Sequence, residues 1–352
     1  MRALWRRRWG TLLLLGADAL VLALYFLLRS HRTAMNAVAR VTVYYRRAVG
    51  ALCALVPFSV TELVYAAAVF GAVFVVARAL RCRAFADGAL TLASAALTLY
   101  TAFCLLWGVN YRADGVCEAM GLADEPVRIE ALYAVTQRFA ALVAETAPDT
   151  PRAADGTLDV SADEILALGE TAYDALSARY PFLALRGDRP KAMAFSRVMS
   201  AMGYTGLYLP FTGETNVNVD VPPCVIPFTV AHELSHRRGF AREDECNFLG
   251  VLASLSCESA VYRYSGALMG YIYLSNALYS ADPALWREVY AALPAEAIAD
   301  LDANNAYWAR YEGPVSGASD RVYDALLRSC GEEQGTRSYG AAVDLLVAYY
   351  YE

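Results

Sequence analysis

Three apolar runs in the first third of the chain limit what it can fold into. Residues 11–28 read TLLLLGADALVLALYFLL, about 58–80 read FSVTELVYAAAVFGAVFVVARAL, and about 88–109 read GALTLASAALTLYTAFCLLWGV. A helix rising 1.5 Å per residue needs about 20 apolar residues to cross the hydrocarbon layer, and each run meets that length. Trp5, Trp9, Trp107 and Tyr111 stand at the run ends, where interfacial aromatics belong. A cleaved signal peptide is the alternative for the first run, but the small-x-small cleavage site it would need is poor in RSHRTAMNA. For the second and third runs the alternative is a buried core helix, and their length and scarcity of charge disfavour it.

The charge is split along the same line. Residues 1–109 carry a balance of +9, all of the positive charge from arginine, and residues 110–352 carry −15. A near-neutral whole hides a basic apolar front and an acidic soluble remainder. Arg2, Arg6, Arg7 and Arg8 precede the first run, and Arg78, Arg81 and Arg83 fill the link between the second and third. Loops rich in arginine stay in the cytoplasm, so three spans place residues 110–352 outside it. Residues 29–50 hold five more arginines on the opposite side. Met35, Val38, Val41, Tyr45, Val49 and Leu52 recur there at helical spacing, which reads as an amphipathic helix lying on the membrane surface. Topology accounts for these arginines, so no nucleic-acid face is indicated. Eight cysteines are scattered singly without a CxxC pair, which argues against thiolate metal clusters and against a disulfide framework.

After Tyr111 the pattern is mainly helical. Residues 127–146 are periodic, SADE at 161–164 is a capping box opening a helix to about Arg179, and Asp282-Pro283 reads as a helix start. Short strands are expected at 192–196, 207–211 and 215–221. The last of these, TNVNVDV, alternates as a half-exposed strand does. A final helix is expected in SYGAAVDLLVAYYYE.

The chemistry gathers in HELSH, residues 232–236, which uses two of the chain's three histidines. Residues i and i+4 share a helix face, so His232 and His236 can aim at one ion. Glu233 is turned about a quarter circle away, where a general base for a metal-bound water must sit. Pro227 and Gly239 bracket this helix as a start and a C-terminal stop. A catalytic zinc needs a third protein ligand and one open position. The metzincin plan puts a histidine six residues after the second; that place holds Arg242, so carboxylates remain: Glu243, Asp244, Glu245 or Glu258. On the next helix a polar stripe runs Glu243, Asn247, Ser254, Glu258 along an otherwise apolar surface. That stripe favours Glu243 as ligand, with Glu245 as rival, and gives Asn247 the task of accepting a hydrogen bond from a ligating imidazole. Tyr262, Arg263 and Tyr264 are candidates to help the oxyanion, against the alternative that YRY is ordinary helix surface, and TNVNVDV is the candidate to hold an extended substrate by β-augmentation.

Taken together, WGVNYR (107–112), GYTGLYLPFTGETNVN (203–218), PFTVAHELSHRRGFAREDECNFLGVLA (227–253), YRYSG (262–266) and SYGAAVDLLVAYY resemble the bacterial domain-of-unknown-function family numbered 3810. That resemblance implies an N-terminal membrane region and an HExxH zinc-peptidase-like domain with no assigned substrate. The local order also resembles the gluzincins, whose third ligand is a glutamate. In the membrane-sensor metallopeptidases of that clan the pattern Glu-x-x-Cys-Asp carries the ligand first. Here EDECN gives Glu243, Cys246 and Asn247, with Asn in place of Asp. The family frequently has Gln directly after the second histidine, where this chain has Arg237.

The expected fold is therefore mainly α: a membrane region over 1–110 with three transmembrane helices, then a zincin-like metallopeptidase domain over 111–352 with a small β-sheet. The expected activity is hydrolysis of peptide bonds with Zn2+ and Glu233, at the bacterial cell membrane and outside the cytoplasm. The alternative is a non-catalytic sensory or binding module in the bilayer whose HExxH site is structural or vestigial.

Overall fold

Four long helices come first in the computed structural model, which describes residues 2–122, 126–187, 189–330 and 339–351. They are α1 (Arg2–Leu28), α2 (Arg32–Cys53), α3 (Val60–Arg81) and α4 (Phe85–Leu106). Three segments, Arg8–Leu28, Val60–Arg81 and Phe85–Leu106, are long and apolar enough to cross a membrane. Apolar side chains of α3 such as Phe70, Val73 and Phe74 stand exposed, as lipid-facing groups do. Asp18, the charge inside the first span, is buried against α4 and accepts a hydrogen bond from Thr98 Oγ1 at 2.7 Å. Arg8 pairs with Asp87 at one end of the α1–α4 pair. At the other end Leu22 and Tyr25 pack with Cys104, Val109 and Met35. The N-terminus and the α3–α4 link thus share one side, and α2 lies on the other with everything after Leu106.

The helix over 29–50 exists as α2, and its buried face is Met35, Thr42, Arg46 and Gly50. Val41, Tyr45 and Leu52 of the expected apolar stripe stand exposed. One expectation for this region needs correction: the third span ends three residues early, at Leu106. Trp107 and Tyr111 do not float at the interface; they turn into the protein and pack with Tyr208 and Ala241. A five-residue 3-10 turn, Gly108–Arg112, is all that follows before the soluble part begins, so no slack linker separates span from domain.

The remaining elements are α5 (Val116–Met120), α6 (Ile129–Thr146), α7 (Ala162–Leu168), α8 (Asp174–Arg179), β1 (Lys191–Ala192), α9 (Ser196–Met202), β2 (Gly206–Leu209), β3 (Glu214–Val217), α10 (Ile226–Arg238), α11 (Glu243–Ser256), α12 (Ala260–Ala281), α13 (Pro283–Tyr290), α14 (Ala295–Ala309), α15 (Pro314–Cys330) and α16 (Tyr339–Tyr350). The core forms where α6, α10, α11, α12 and α16 bury Phe139, Leu234, Phe248, Leu249, Leu268 and Leu346 against one another. Ser161 caps α7 by accepting from Glu164 N–H, as the capping box implies. The expected single helix to Arg179 instead breaks at Gly169–Thr171, where a side chain on Gly169 would meet Tyr262 and Val230 at 2.7 Å.

The sheet order is β1-β3-β2, with β1 parallel and β2 antiparallel to β3. The strand expected over 215–221 ends at Val217 and its residues are buried as the central strand, not a half-exposed edge, while Val219 and Asp220 lie past it and are half-buried. The strand expected at 192–196 stops at Ala192, because α9 starts at Ser196.

β3 also fastens the membrane helices to the domain. Glu214 accepts hydrogen bonds from the N–H groups of Val60 and Thr61 and from Thr61 Oγ1, capping the first turn of α3. Lys191 Nζ pairs with the same carboxylate at 2.6 Å and donates to the carbonyls of Cys53 and Phe58. Both side chains are almost fully buried. Removing one partner strands a buried charge, which costs about 3–5 kcal/mol. Glu214→Ala is expected to lower stability by about that amount in thermal unfolding of the detergent-solubilised chain, and the joint change Lys191→Met, Glu214→Leu to recover most of it.

Candidate metal centre

Helix α10 is buried on nearly every side, so each of its polar groups needs a partner or a task. Pro227 stands in its first turn, and Gly239 ends it with φ of 106°, a left-handed conformation that glycine adopts without strain. Ser235 bonds to the Ala231 carbonyl and the Tyr173 hydroxyl, and Thr229 to the Val225 carbonyl. His232, Glu233 and His236 remain for other work.

Helix α11 crosses close to α10 because Gly250 carries no side chain; a Cβ there would lie 3.2 Å from His232 N. That approach sets Glu243, the first residue of α11, against both imidazoles. Glu243 Oε2 is 3.2 Å from His232 Nε2, and Oε1 is 3.6 Å from His236 Nε2. Donors about 2.0–2.1 Å from a tetrahedral zinc stand roughly 3.3 Å apart, so the spacing fits such an ion. His232, His236 and Glu243 form a group that could hold a metal ion. Of the two rival carboxylates only Glu243 faces the imidazoles, since Glu245 turns away and accepts from Val116 N–H at 2.9 Å. Glu258 lies beyond the end of α11 and is exposed, which removes it from the site.

The surroundings set the protonation of each group. His236 Nδ1 donates to the Phe240 carbonyl at 2.8 Å, leaving Nε2 free for a metal. Burial pushes its pKa down to about 4, so the ring is neutral at pH 7. Trp107 and Tyr208 wall the ring at 5.7 and 6.3 Å between centroids. Burial alone would raise the Glu243 carboxyl, but the two imidazoles and the Tyr323 hydroxyl outweigh it and hold it at about 2. For His232, burial works against the charged form, and the Glu243 carboxylate more than reverses this, so its pKa is raised. A divalent cation bound here would compete with the proton that Glu243 favours on His232.

Asn247 lies beside His232, one turn past Glu243 along α11. Its Oδ1 accepts from the Tyr273 hydroxyl at 3.1 Å. Both Asn247 Nδ2 and His232 Nδ1 have no partner among the described residues. A half-turn of the amide satisfies both, giving His232 Nδ1–H an acceptor and letting Nδ2 donate to the tyrosine.

Glu233 lies beside the cluster, 5% exposed, and burial pushes its pKa up to about 8. Its Oε2 has no hydrogen-bond partner among the described residues. The Tyr208 N–H of β2 bonds the carboxylate, and a Cβ on Gly206 of the same strand would fall 2.5 Å from Oε1. A carboxyl poised near neutral pH and pressed against an open backbone edge is suited to carry a proton.

A family model described as a protein of unknown function, DUF3810, matches residues 40–347. The chain belongs to that family. No curated protein and no solved structure matches it. The DUF3810 match contains every residue of the site and leaves out α1.

Sequence reasoning placed three site features elsewhere. The Tyr262 hydroxyl donates to the Ile165 carbonyl, Arg263 to the carbonyls of Cys257 and Glu258, and Tyr264 to Asp300, so none of the three is an oxyanion helper here. The residue missed was Tyr323 of α15, whose hydroxyl donates to Glu243 Oε1 at 2.5 Å. It lies 80 residues along the chain from Glu243 in a helix of ordinary pattern, and no local signal marks it. The Phe240 contribution is a carbonyl, to which side-chain patterns are blind. One divalent ion per chain is expected by elemental analysis after dialysis. His232→Ala, His236→Ala and Glu243→Ala should lose it, Glu245→Ala should keep it, and Asn247→Ala should weaken affinity roughly 10–100-fold.

Proposed function

We propose that this DUF3810 chain is a membrane-anchored zinc peptidase with a zincin-like soluble domain, and that residues 107–351 work outside the cytoplasm of the bacterial cell. The observation that carries the reading is Glu233: a buried carboxyl with a pKa of about 8, an unpartnered oxygen and a place beside three candidate ligands. A structural metal clip has no use for such a group, and its burial would cost stability without return. His232, His236 and Glu243 would hold the zinc, with Asn247 and the Phe240 carbonyl orienting the imidazoles. Bound there, zinc lowers the pKa of water towards 7 and polarises a carbonyl. Glu233 takes the proton of the attacking water and returns it to the leaving amine. Tyr323 holds Oε1 of Glu243, which would leave Oε2 to hold the ion.

The substrate strand is reassigned from β3 to β2. Among the described residues β2 pairs with β3 alone, so its outer edge offers backbone groups to an extended peptide directly beside Glu233. Orientation follows from the arginines. The N-terminus and the α3–α4 link, with Arg78, Arg81 and Arg83, lie on the side opposite the domain.

Glu233→Gln is expected to retain zinc and to lose at least about 100-fold in hydrolysis of an unstructured peptide. Zinc-loaded wild-type chain that cleaves nothing across a broad peptide library would overturn the reading. Gly206→Ala, which pushes a methyl group into the Glu233 carboxylate, should keep the ion and lower kcat, measured against wild type at saturating peptide.

A further inference from the structure

α9 has two faces. Ser196, Met199 and Ser200 are buried, while Phe195, Val198 and Met202 are 60%, 54% and 37% exposed at spacings of three and four residues. Three apolar side chains on one helical stripe normally face a partner. What lies beside them is the membrane helix α3. Glu62, two residues into α3, accepts from the N–H groups of Ala194 and Phe195 at 3.1 and 2.8 Å, so the start of α9 is tied to the level at which that span enters the bilayer. Phe58, in the short link that feeds α3, is also 52% exposed. Tyr204, just past α9, lies close enough to Tyr65 of α3 for their hydroxyls to interact electrostatically.

The far end of this patch leads to the candidate metal centre. Tyr204 packs against Tyr323 with 5.6 Å between ring centroids and accepts a hydrogen bond from Ser319 of α15. Tyr323 in turn bonds to Glu243. Two tyrosine rings therefore separate the lipid-embedded helix from a candidate metal ligand. The backbone gives the same answer: from Met202 to Gly206, whose Cα abuts Glu233, is four residues, at most about 14 Å of extended chain.

We propose that Phe195, Val198 and Met202 dip into the interfacial layer of the bilayer, so that the site opens at the membrane surface and takes peptide segments tethered there, such as the juxtamembrane stretch of a membrane-anchored protein. The immersion stands on geometry alone, and the substrate class rests on the peptidase reading. Continuity with α3 selects lipid as the occupant, since the patch begins one hydrogen bond from a membrane span.

Two arms test this on the full chain in lipid nanodiscs. First, an environment-sensitive dye is placed on Val198→Cys in a Cys82→Ser background. Brominated phosphatidylcholine is expected to quench it and aqueous iodide to leave it bright. Quenching by iodide alone, or by neither, would mean water or protein covers the face, and either result overturns the immersion. Second, a lipid-anchored peptide carries its cleavable bond about five or about forty residues from the anchor. The near bond is expected to be cut at least tenfold faster, and Phe195→Ser with Met202→Ser, both outside the catalytic group, to erase most of that advantage. Equal or faster cleavage of the far bond overturns the substrate class. Cleavage of neither, with zinc bound, defeats the peptidase reading, and the dye result still decides the immersion.

Discussion

The molecule depends on the contact between α10 and α11. Two imidazoles one turn apart are common on helices; a carboxylate delivered between them is not, and Gly250 makes it possible by letting the second helix cross within van der Waals reach of His232 N. Once the crossing is fixed, several consequences follow from it. Glu243 must sit at the start of α11, Glu245 must turn the other way, and Asn247 must fall one turn further along beside His232. Burial of the whole group then separates the carboxyls by environment. Glu243, flanked by imidazoles, stays ionised, while Glu233, flanked by glycine and a strand edge, holds its proton up to about 8. Two acids on neighbouring helices thereby become suited to different tasks.

A second polar assembly joins this centre to the bilayer. Glu214 belongs to β3, the middle strand of the sheet whose free edge touches Glu233, and it is also the cap of α3. Arg46 of α2 is buried beneath Trp107, with its guanidinium 5.7 Å from the indole and against Gly239 at the end of α10. Membrane-side helices and the candidate catalytic helix are in direct contact, without an intervening layer of loops.

Much of this was legible in the chain. Helical spacing, the Pro227 and Gly239 boundaries and the polar stripe on α11 report local physics, and they singled out His232, His236 and Glu243, which the fold brings together. The apolar runs located the spans to within a few residues. What failed was information that only tertiary contact supplies. TNVNVDV alternates like an edge strand, yet becomes central because Lys191–Ala192, too short to announce itself, pairs along it. Tyr262 and Tyr264 look available in sequence and are consumed by Ile165 and Asp300. Trp107 reads as an interfacial anchor because its neighbours are apolar, and only the end of α4 shows it turning inward.

The absence of slack between α4 and the domain has a mechanical consequence. A domain on a flexible stalk sweeps a volume and finds its targets by searching; this one is clamped at α3 and α4 together and holds a fixed height above the lipid. The spans of 22 residues are about 33 Å long, close to the thickness of an average hydrocarbon layer. A thicker or thinner bilayer must therefore tilt the helices or pull the domain against the headgroups, and the height of the candidate metal centre shifts with it. Lipid composition becomes a ruler for where that centre stands over the surface.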